Sequence, residues 1–161
     1  MKILFLDIDG VLNNEKQNWD IEGNWTISDS SVGILNRLLD EIPDLKIVLS
    51  STWRIASRGQ EATFKHLTEK HGFKHASRVI GSTPDFGYRN DAWFLRGEEC
   101  LEWMNLYHEG EEIEAWAILD DQKDMFLTLP NNHRNKLVIT DSQRGFSLRE
   151  FDKLKEILCS K

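Results

Sequence analysis

Two carboxylates, Asp7 and Asp9, follow directly on the apolar run Ile3–Leu6, and Gly10 comes next. A buried strand has no packing use for acids at its carboxyl end, which is where ligands bind in open α/β sheets. Carboxylate oxygens suit a hard divalent cation, and an aspartate can also act as a nucleophile that accepts a phosphoryl group. The stretch therefore predicts a metal-binding or catalytic site, with a plain Asp-Gly turn as the alternative.

A second pair of acids, Asp120 and Asp121, follows the apolar run Ala115–Leu119 in the same way. Adjacent carboxylates repel each other unless a cation lies near them. Acids that begin a helix are the alternative, because the helix dipole favours negative charge there. Two strand ends thus supply four carboxylates to one predicted site.

Hydroxyl groups and an arginine follow a further apolar run, residues 47–49. Hydroxyls and backbone N–H groups hold phosphate oxygens, and arginine binds them bidentately. A Ser/Thr turn that caps the next helix is the alternative. The residues predicted to contact a phosphate are Ser50, Ser51, Thr52 and Arg54.

Arg96 stands at the start of a predicted helix. A basic side chain in the first turn opposes the helix macrodipole. This misfit suggests a function for Arg96, with a solvated surface arginine as the alternative.

The rest of the pattern predicts the elements that must position these residues. Short apolar runs predict five strands, and apolar residues at helical spacing predict the helices between them. Such alternation is typical of an α/β protein with a mainly parallel sheet and helices on both faces. The predicted strands lie near residues 3–6, 47–49, 78–80, 115–119 and 137–139, and the predicted helices near residues 31–42, 60–71, 96–107, 122–129 and from Ser147 onward.

The chain of 161 residues has the length of one domain, and we expect residues 1–161 to form it. No apolar run approaches the ~20 residues of a membrane span, and the first run meets Asp7 too early for a signal peptide. Cys100 and Cys159 form no disulfide framework, so both are predicted to be free thiols. These features predict a cytoplasmic protein that does not contact a membrane.

The net charge of −7 is not that of a protein that coats nucleic acid. The charge is uneven, however, because residues 54–78 carry six Lys or Arg against two acids, whereas residues 98–124 carry ten acids against one lysine. Such runs either form a local binding face or are solvated surface, and both interpretations remain open at this point.

The order of these motifs resembles the haloacid dehalogenase (HAD) superfamily of phosphotransferases. Residues 7–11 match its DxDG-[VT] signature, residues 50–51 its serine or threonine after strand two, and residues 120–121 its acidic pair after strand four. Arg96 matches its basic residue near a helix start, with Arg89 as a rival. A closer similarity, to the HAD domain of Swiss army knife RNA-repair proteins, is carried by LSSTWR and RGEECLEW. The first of these is also similar to the phosphatase half of polynucleotide kinase–phosphatases.

The resemblance implies a three-layer, Rossmann-like HAD core and a phosphatase that uses Mg²⁺. Asp7 would be the nucleophile that forms an aspartyl-phosphate. Asp9 would be the general acid that protonates the leaving oxygen and then the base that activates water. Mg²⁺ would be held by Asp7, the backbone carbonyl of Asp9 and Asp120, with Asp121 in or next to that shell.

The resemblance also implies how a phosphorylated substrate is bound. A hydroxyl of Ser50 or Ser51 would bind the phosphoryl group, and the doublet leaves the choice between them open. Arg96 would neutralise charge on the transferred group. The other residues predicted to contact phosphate or substrate are Gly10, Thr52, Arg54 and Arg89.

Many members of that superfamily close a cap domain over a small substrate. Residues 13–46 and 55–95 could hold a cap, but both intervals contain core elements, so no large cap is predicted. An open site admits the end of a macromolecule, and an aromatic side chain there could stack on a base, with core packing as the alternative. The aromatic candidates are Trp19, Trp25, Trp53, Tyr88 and Trp93.

Three functions remain in competition. The first is a phosphatase that removes a terminal 3′ phosphate from a polynucleotide, the second is a small-molecule phosphatase such as a nucleotidase, and the third is a catalytically idle binding module. The four acids argue against the third, since an idle fold has no reason to keep buried like charges. The basic segment 54–78 discriminates the first two, because charges that line the mouth of the site favour a polynucleotide and charges that face away favour a small substrate.

Overall fold

Strands and helices alternate along the chain, and the fold is the predicted α/β class. The computed structural model describes residues 1–14, 26–55, 59–87, 95–106 and 111–160. The strands of these residues are β1 (Lys2–Leu6), β2 (Leu45–Leu49), β3 (Val79–Ser82), β4 (Ala115–Asp120) and β5 (Leu137–Ile139). The α-helices are α1 (Asp29–Glu41), α2 (Gly59–His71), α3 (Arg96–Leu106) and α4 (Leu148–Cys159).

The five strands form one sheet in the order β3-β2-β1-β4-β5, and every pairing is parallel. β1 lies between β2 and β4, so it has a strand on both edges and both faces covered. This explains why its residues are an unbroken apolar run rather than an alternating one. The chain winds outward from β1 through β2 to β3 and then returns to the other side of β1. The switch in direction between β1 and β4 creates the crevice in which α/β proteins bind ligands.

Alternate residues of the strands supply two cores, one on each face of the sheet, because successive strand side chains point to opposite faces. On one face, Leu4 and Leu6 pack with apolar residues of α1, α2 and α4. On the other, Ile3 and Phe5 pack with Cys100 and Trp103 of α3 and with Phe126 and Leu129. Helices on both faces make the three layers that the sequence predicted.

The helix starts are capped as their sequences indicate. Ser28 precedes α1 and its side chain accepts a hydrogen bond from Ser31 N. Ser147 and Glu150 form the reciprocal capping box that begins α4. The predicted helix over residues 122–129 is wrong, since only Lys123–Phe126 form a short 3-10 helix. Phe126 is the buried residue of this short helix, and Leu129, which is also buried, follows it in the turn after the helix.

Within the described residues, no helix combines the length and the apolar character that a membrane span requires. Cys100 is buried and Cys159 is exposed, and both are free. The single domain over residues 1–161 and the lack of a large cap stay predictions.

Candidate active site

The register of β1 and β4 places acids from these two strands side by side at the carboxyl end of the sheet. Leu6 of β1 is in register with Leu49 of β2 and Leu119 of β4, so Asp7, Ser50 and Asp120 come next together. The ladder continues past Leu6, since Asp7 N donates to Leu119 O at 3.0 Å and Ser50 N donates to Leu6 O at 2.8 Å. Residues in register face the same side of a sheet. The carboxylates of Asp7 and Asp120 are therefore neighbours on the face that α3 covers.

Arg96, the first residue of α3, supplies the counter-charge to these two acids. Its Nη1 donates to Asp7 Oδ2 at 3.0 Å and to Asp120 Oδ2 at 2.6 Å. All three side chains are buried. Burial alone would lower the pKa of Arg96, but the two carboxylates outweigh it and raise that pKa. Arg96 is thus a fixed positive charge inside the site, and Arg89, its rival in the sequence, lies outside the described residues.

The environment of Asp7 penalises its negative charge. Burial raises the pKa of Asp7 to about 7, with the charge of Asp120 adding to the shift, whereas Arg96 and a hydrogen bond with the Ser51 side chain oppose it. Burial likewise raises the pKa of Asp120, and Arg96 is the largest opposing influence. One arginine does not compensate two buried carboxylates, so the described residues of the site carry an excess of negative charge.

Asp121 brings a third carboxylate to the same place, and the set fits a divalent cation. One oxygen from each of Asp7, Asp120 and Asp121 lies within 4.8 Å of the others. Asp121 Oδ1 is buried and has no hydrogen-bond partner among the described residues. Burial raises the pKa of Asp121 to about 6, and the charge of Asp7 adds to the shift. An all-oxygen set with excess negative charge and a buried acceptor without a donor is suited to Mg²⁺ or another hard cation.

Gly10 is the residue that lets Asp121 approach. Its φ is +68°, and a Cβ on it would lie 2.4 Å from Asp121 Oδ2. Its backbone is held on both sides, because its N–H donates to Asn13 Oδ1 at 2.7 Å and its carbonyl accepts from Thr140 Oγ1 at 2.8 Å. Gly10 therefore shapes the cation site through its missing side chain, and its predicted contact with substrate stays a prediction.

Replacing Gly10 by alanine is expected to displace the Asp121 carboxylate and weaken Mg²⁺ binding by at least about tenfold, because a shift of one ångström in a catalytic group can cost about 100-fold in rate. Isothermal titration with Mg²⁺ measures the effect. Gly33→Ala is the matched control, since a Cβ at that helical position meets nothing within 4 Å. Equal Mg²⁺ affinity in the two variants would contradict the role given to Gly10.

The serine doublet divides into a residue that contacts Asp7 and one that contacts Cys100. The Ser51 side chain hydrogen bonds with Asp7 and also accepts from Trp53 N at 3.4 Å. The Ser50 hydroxyl lies 3.6 Å from the Cys100 sulfur and is fully buried. The geometry favours Ser51 as the hydroxyl next to a bound phosphoryl group. Thr52 is exposed at the start of the short 3-10 helix Thr52–Arg54, and its predicted substrate contact stays a prediction.

Arg54 lies inside the protein, where its guanidinium contacts the loops that follow β2 and β3. Its buried guanidinium donates to Ser51 O at 2.8 Å, to Thr83 O at 3.1 Å and to Glu99 Oε2 at 2.7 Å. It also donates to Pro84 O at 3.2 Å. The loops that follow β2 and β3 expose carbonyl groups that no strand pairs, and arginine with its five donors satisfies several of them at once. Arg54 thus links the turn that carries Ser51 to the next loop and to α3, and its predicted contact with substrate stays a prediction.

Asp9 stands apart from the three-carboxylate group. Its Oδ1 accepts from Asn13 Nδ2 at 2.7 Å, and its Oδ2 accepts from Trp53 Nε1 at 2.9 Å. Its side chain is half-buried. The role predicted for its backbone carbonyl at the metal stays a prediction.

Three of the described basic residues in segment 54–78 are engaged elsewhere than at a substrate. Arg54 is internal and paired with Glu99, and Arg78 donates to the carbonyls of Leu39 and Ile42, where α1 ends near the amino ends of the strands. Lys70 lies in the last turn of α2, which leads back to that same end. The charges of Arg78 and Lys70 therefore lie at the end of the sheet away from Asp7, and the charge of Arg54 is paired within the protein. The aromatic candidates Trp19, Trp25, Tyr88 and Trp93 lie outside the described residues.

Sequence reasoning missed Asn13, Glu99 and Thr140. Glu99 follows Arg96 by three residues, which is a helical spacing that places both on one face of α3, and this was the available signal. Asn13 acts within its own loop, on Gly10 and Asp9 three and four residues before it. Thr140 instead acts through a contact between loops, for which the local sequence offers no signal.

A family model described as the HAD domain in Swiss Army Knife RNA repair proteins matches residues 3–151. Neither the curated proteins nor the solved structures contain a match to this chain. The matched range includes both acidic pairs and, apart from Lys2 at the start of β1, all the strands of the described residues.

Proposed function

Since the chain belongs to the family of HAD domains found in Swiss Army Knife RNA repair proteins, we propose that it is a Mg²⁺-dependent phosphomonoester hydrolase that works through an aspartyl-phosphate on Asp7 and removes the terminal 3′ phosphate of a polynucleotide. The observation that carries the proposal is the constellation around Asp7, which joins a buried carboxylate to Arg96 and to two further acids. Phosphoryl transfer depends on such positioning and charge compensation more than on elaborate bond chemistry.

In the first step, a carboxylate oxygen of Asp7 attacks phosphorus while the bond from phosphorus to the leaving oxygen breaks. Asp9 gives that oxygen its proton. Arg96 holds Asp7 Oδ2 in place, and the Ser51 hydroxyl beside Asp7 is positioned to donate to the phosphoryl group. In the second step, Asp9 takes a proton from water, the water oxygen attacks phosphorus, and the bond to Asp7 breaks to release inorganic phosphate.

Asp7, Asp120 and Asp121 would hold the cation, with the backbone carbonyl of Asp9. Bound there, Mg²⁺ supplies the positive charge that allows a carboxylate to approach an anionic phosphate. The cation, the covalent intermediate and the 3′ position of the phosphate are parts of this proposal.

Family membership suggests a nucleic-acid substrate. The outward position of Arg78 and the internal one of Arg54 instead favour the second candidate, a small phosphomonoester such as a nucleotide. A purely binding module is disfavoured, because the buried acids cost free energy that an inactive site has no reason to retain.

Phosphate release measured with Mg²⁺ decides between these candidates. The substrates are a 3′-phosphorylated oligonucleotide, its 5′-phosphorylated counterpart, a nucleoside monophosphate and p-nitrophenyl phosphate. Preference for the 3′ end, with a rate that falls steeply with salt, supports the proposal. Equal or faster turnover of the small substrates would favour the nucleotidase hypothesis instead. If none of the substrates releases phosphate in a way that depends on Asp7, the binding module becomes the favoured hypothesis.

The raised pKa values of Asp7 and Asp121 predict a pH-dependent response to Mg²⁺. An acid whose folded pKa lies above its ordinary value of 3.8 stabilises the fold fully below pH 3.8 and loses this contribution as the pH rises through the folded pKa, here about 6 to 7. Without metal, this site therefore lowers stability at pH 8 relative to pH 5.5. A cation removes the repulsion at pH 8 and competes with protons at pH 5.5.

We expect Mg²⁺ at about 100 times its Kd to raise the melting temperature by about 5–10 °C at pH 8 and by clearly less at pH 5.5. Differential scanning fluorimetry at both pH values measures this. Asp121→Asn should remove most of the difference. An equal shift at the two pH values, or an unchanged shift in Asp121→Asn, would show that Mg²⁺ binds elsewhere.

A further inference from the structure

The turn after β2 contacts the catalytic machinery at two points. Ser51 reaches Asp7, and two residues later the Trp53 indole reaches Asp9. The turn itself is short, with Thr52–Arg54 in a 3-10 helix. One small unit thus touches both carboxylates of the first motif.

This turn is fixed from behind. Arg54 donates to the Ser51 carbonyl within the turn and pairs with Glu99, whose buried carboxylate also accepts from Phe86 N at 3.0 Å. Trp53 packs against the larger of the two cores. The indole N–H therefore points at Asp9 from a rigid support.

Among the described residues, two donors define the orientation of the Asp9 carboxylate. Trp53 Nε1 lies 2.9 Å from one oxygen, and Asn13 Nδ2 lies 2.7 Å from the other. A carboxylate has about four lone-pair sites, so these two bonds leave each oxygen a site for a proton or a leaving group. Two opposed hydrogen bonds stop rotation of the group without consuming its capacity to act. The indole N–H is a hydrogen-bond donor only. Trp53 therefore cannot accept a proton from Asp9, and its contact can only orient the carboxylate.

We propose that Trp53 is a positioning residue for the acid–base step, with its indole N–H fixing the Asp9 carboxylate where it meets the leaving oxygen. The inference rests on the proposed function, because it needs Asp9 to be the group that protonates the leaving oxygen. It assigns to Trp53 a role different from base stacking. Stacking uses the aromatic face, whereas this role uses the single N–H.

Trp53→Phe separates these roles, because phenylalanine keeps an aromatic face and loses the N–H donor. A correctly placed general acid contributes about 10²- to 10⁴-fold, and this contribution matters most for a leaving group that departs poorly without a proton. We expect kcat/KM of Trp53→Phe to fall about 30-fold for the unactivated phosphomonoester of a nucleoside or sugar alcohol, and less than about threefold for p-nitrophenyl phosphate.

A series of aryl phosphates with leaving phenols of graded acidity makes the test quantitative. The dependence of kcat/KM on leaving-group acidity should be steeper in Trp53→Phe than in the wild type. This slope compares substrates within one protein preparation, so a smaller folded fraction would lower every rate equally and leave the slope unchanged. Trp116→Phe is the matched control, because Trp116 lies near the amino end of β4 against Phe5 and His133.

Each outcome has one meaning. A steeper slope in Trp53→Phe alone supports the inference. An unchanged slope, with phosphate release still dependent on Asp7, overturns the role of Trp53 and leaves the proposed function intact. Release that persists in Asp7→Asn overturns the proposed function, and the role of Trp53 falls with it.

Discussion

Asp7→Asn is expected to reduce Mg²⁺-dependent phosphate release by about 10⁴-fold or more, because loss of a covalent nucleophile costs up to about 10⁶-fold in enzymes that use one. Asparagine has nearly the same shape as aspartate but no carboxylate oxygen with which to attack phosphorus. Initial rates at saturating Mg²⁺, with the best of the four substrates named above, measure the effect.

The same substitution should not harm the fold. Asp7 is buried beside Asp120, and that burial raises its pKa to about 7, so the neutral amide removes a charge that the folded protein tolerates poorly at pH 8. Arg96 keeps its shorter contact, with Asp120 at 2.6 Å. In the absence of metal, Asp7→Asn should therefore melt at the wild-type temperature or above it.

Asp44→Asn is the matched control for the loss of one acid. Asp44 lies between α1 and β2 and forms a partly exposed pair with Lys2 at 3.5 Å, which is worth little. Activity near the wild-type level in Asp44→Asn and loss in Asp7→Asn is the expected result. Retention of more than a tenth of the activity by a folded Asp7→Asn would rule out the covalent mechanism at this residue.

The position of the site at the carboxyl ends of the strands was predictable, because the sequence pattern that indicates it is local. Four consecutive apolar residues, without alternation, are typical of a short strand that is covered on both faces. Acids that follow such a strand directly in the sequence lie at its carboxyl end. Parallel strands then bring these ends together. The position of Asp7 beside Asp120 follows from that rule, although the sequence did not state which strands are neighbours.

Contacts that depend on side-chain direction could not be predicted in this way. Ser50 and Ser51 are adjacent and chemically identical, and only the folded structure shows that one contacts Cys100 and the other Asp7. Arg54 was expected to bind substrate because arginine suits phosphate. Its guanidinium donates to loop carbonyls, and these contacts become apparent only once the loops after β2 and β3 are in place.

Residues 122–129 show how a tertiary constraint replaces a local propensity. Gln122 N donates to Asp120 Oδ1 at 2.8 Å, and this bond turns the chain immediately after β4. Pro130 limits the segment at its other end. Between these limits only a few residues are available, and the segment forms i to i+3 hydrogen bonds, from Met125 N to Gln122 O and from Leu129 N to Phe126 O, rather than the turns of an α-helix.

Arg96→Met is expected to lower activity by about 10³-fold, since an arginine that offsets charge in phosphoryl transfer is worth about 10³ to 10⁵ in rate. Methionine has a similar length and fills the buried space without a charge or a donor. Asp7 and Asp120 would then lie buried side by side with no counter-charge. Removing one partner of a buried ion pair costs about 3–5 kcal/mol, and urea unfolding at pH 8 without metal measures that loss.

The loss of stability should depend on pH and on metal. With Arg96 gone, both carboxylates resist ionisation even more strongly, so lowering the pH to 5.5 favours their protonated forms and the penalty shrinks. Mg²⁺ at pH 8 should also restore part of the stability, because it supplies the missing positive charge. If Arg96→Met loses the same amount of unfolding free energy, relative to the wild type, at pH 5.5 as at pH 8, this account is contradicted. Arg37→Met, at an exposed pair with Glu41 on α1, is the matched control.

Arg96→Lys tests which property of the arginine the site uses. A single nitrogen, Nη1, contacts both carboxylates, and the ammonium group of lysine can bridge two oxygens in the same manner, although lysine is a poor substitute wherever a planar fork is needed. We therefore expect Arg96→Lys to retain activity within about tenfold of the wild type. If lysine proves as damaging as methionine, the fork geometry matters. If Arg96→Met is fully active, Arg89 becomes the candidate for the basic residue of the motif.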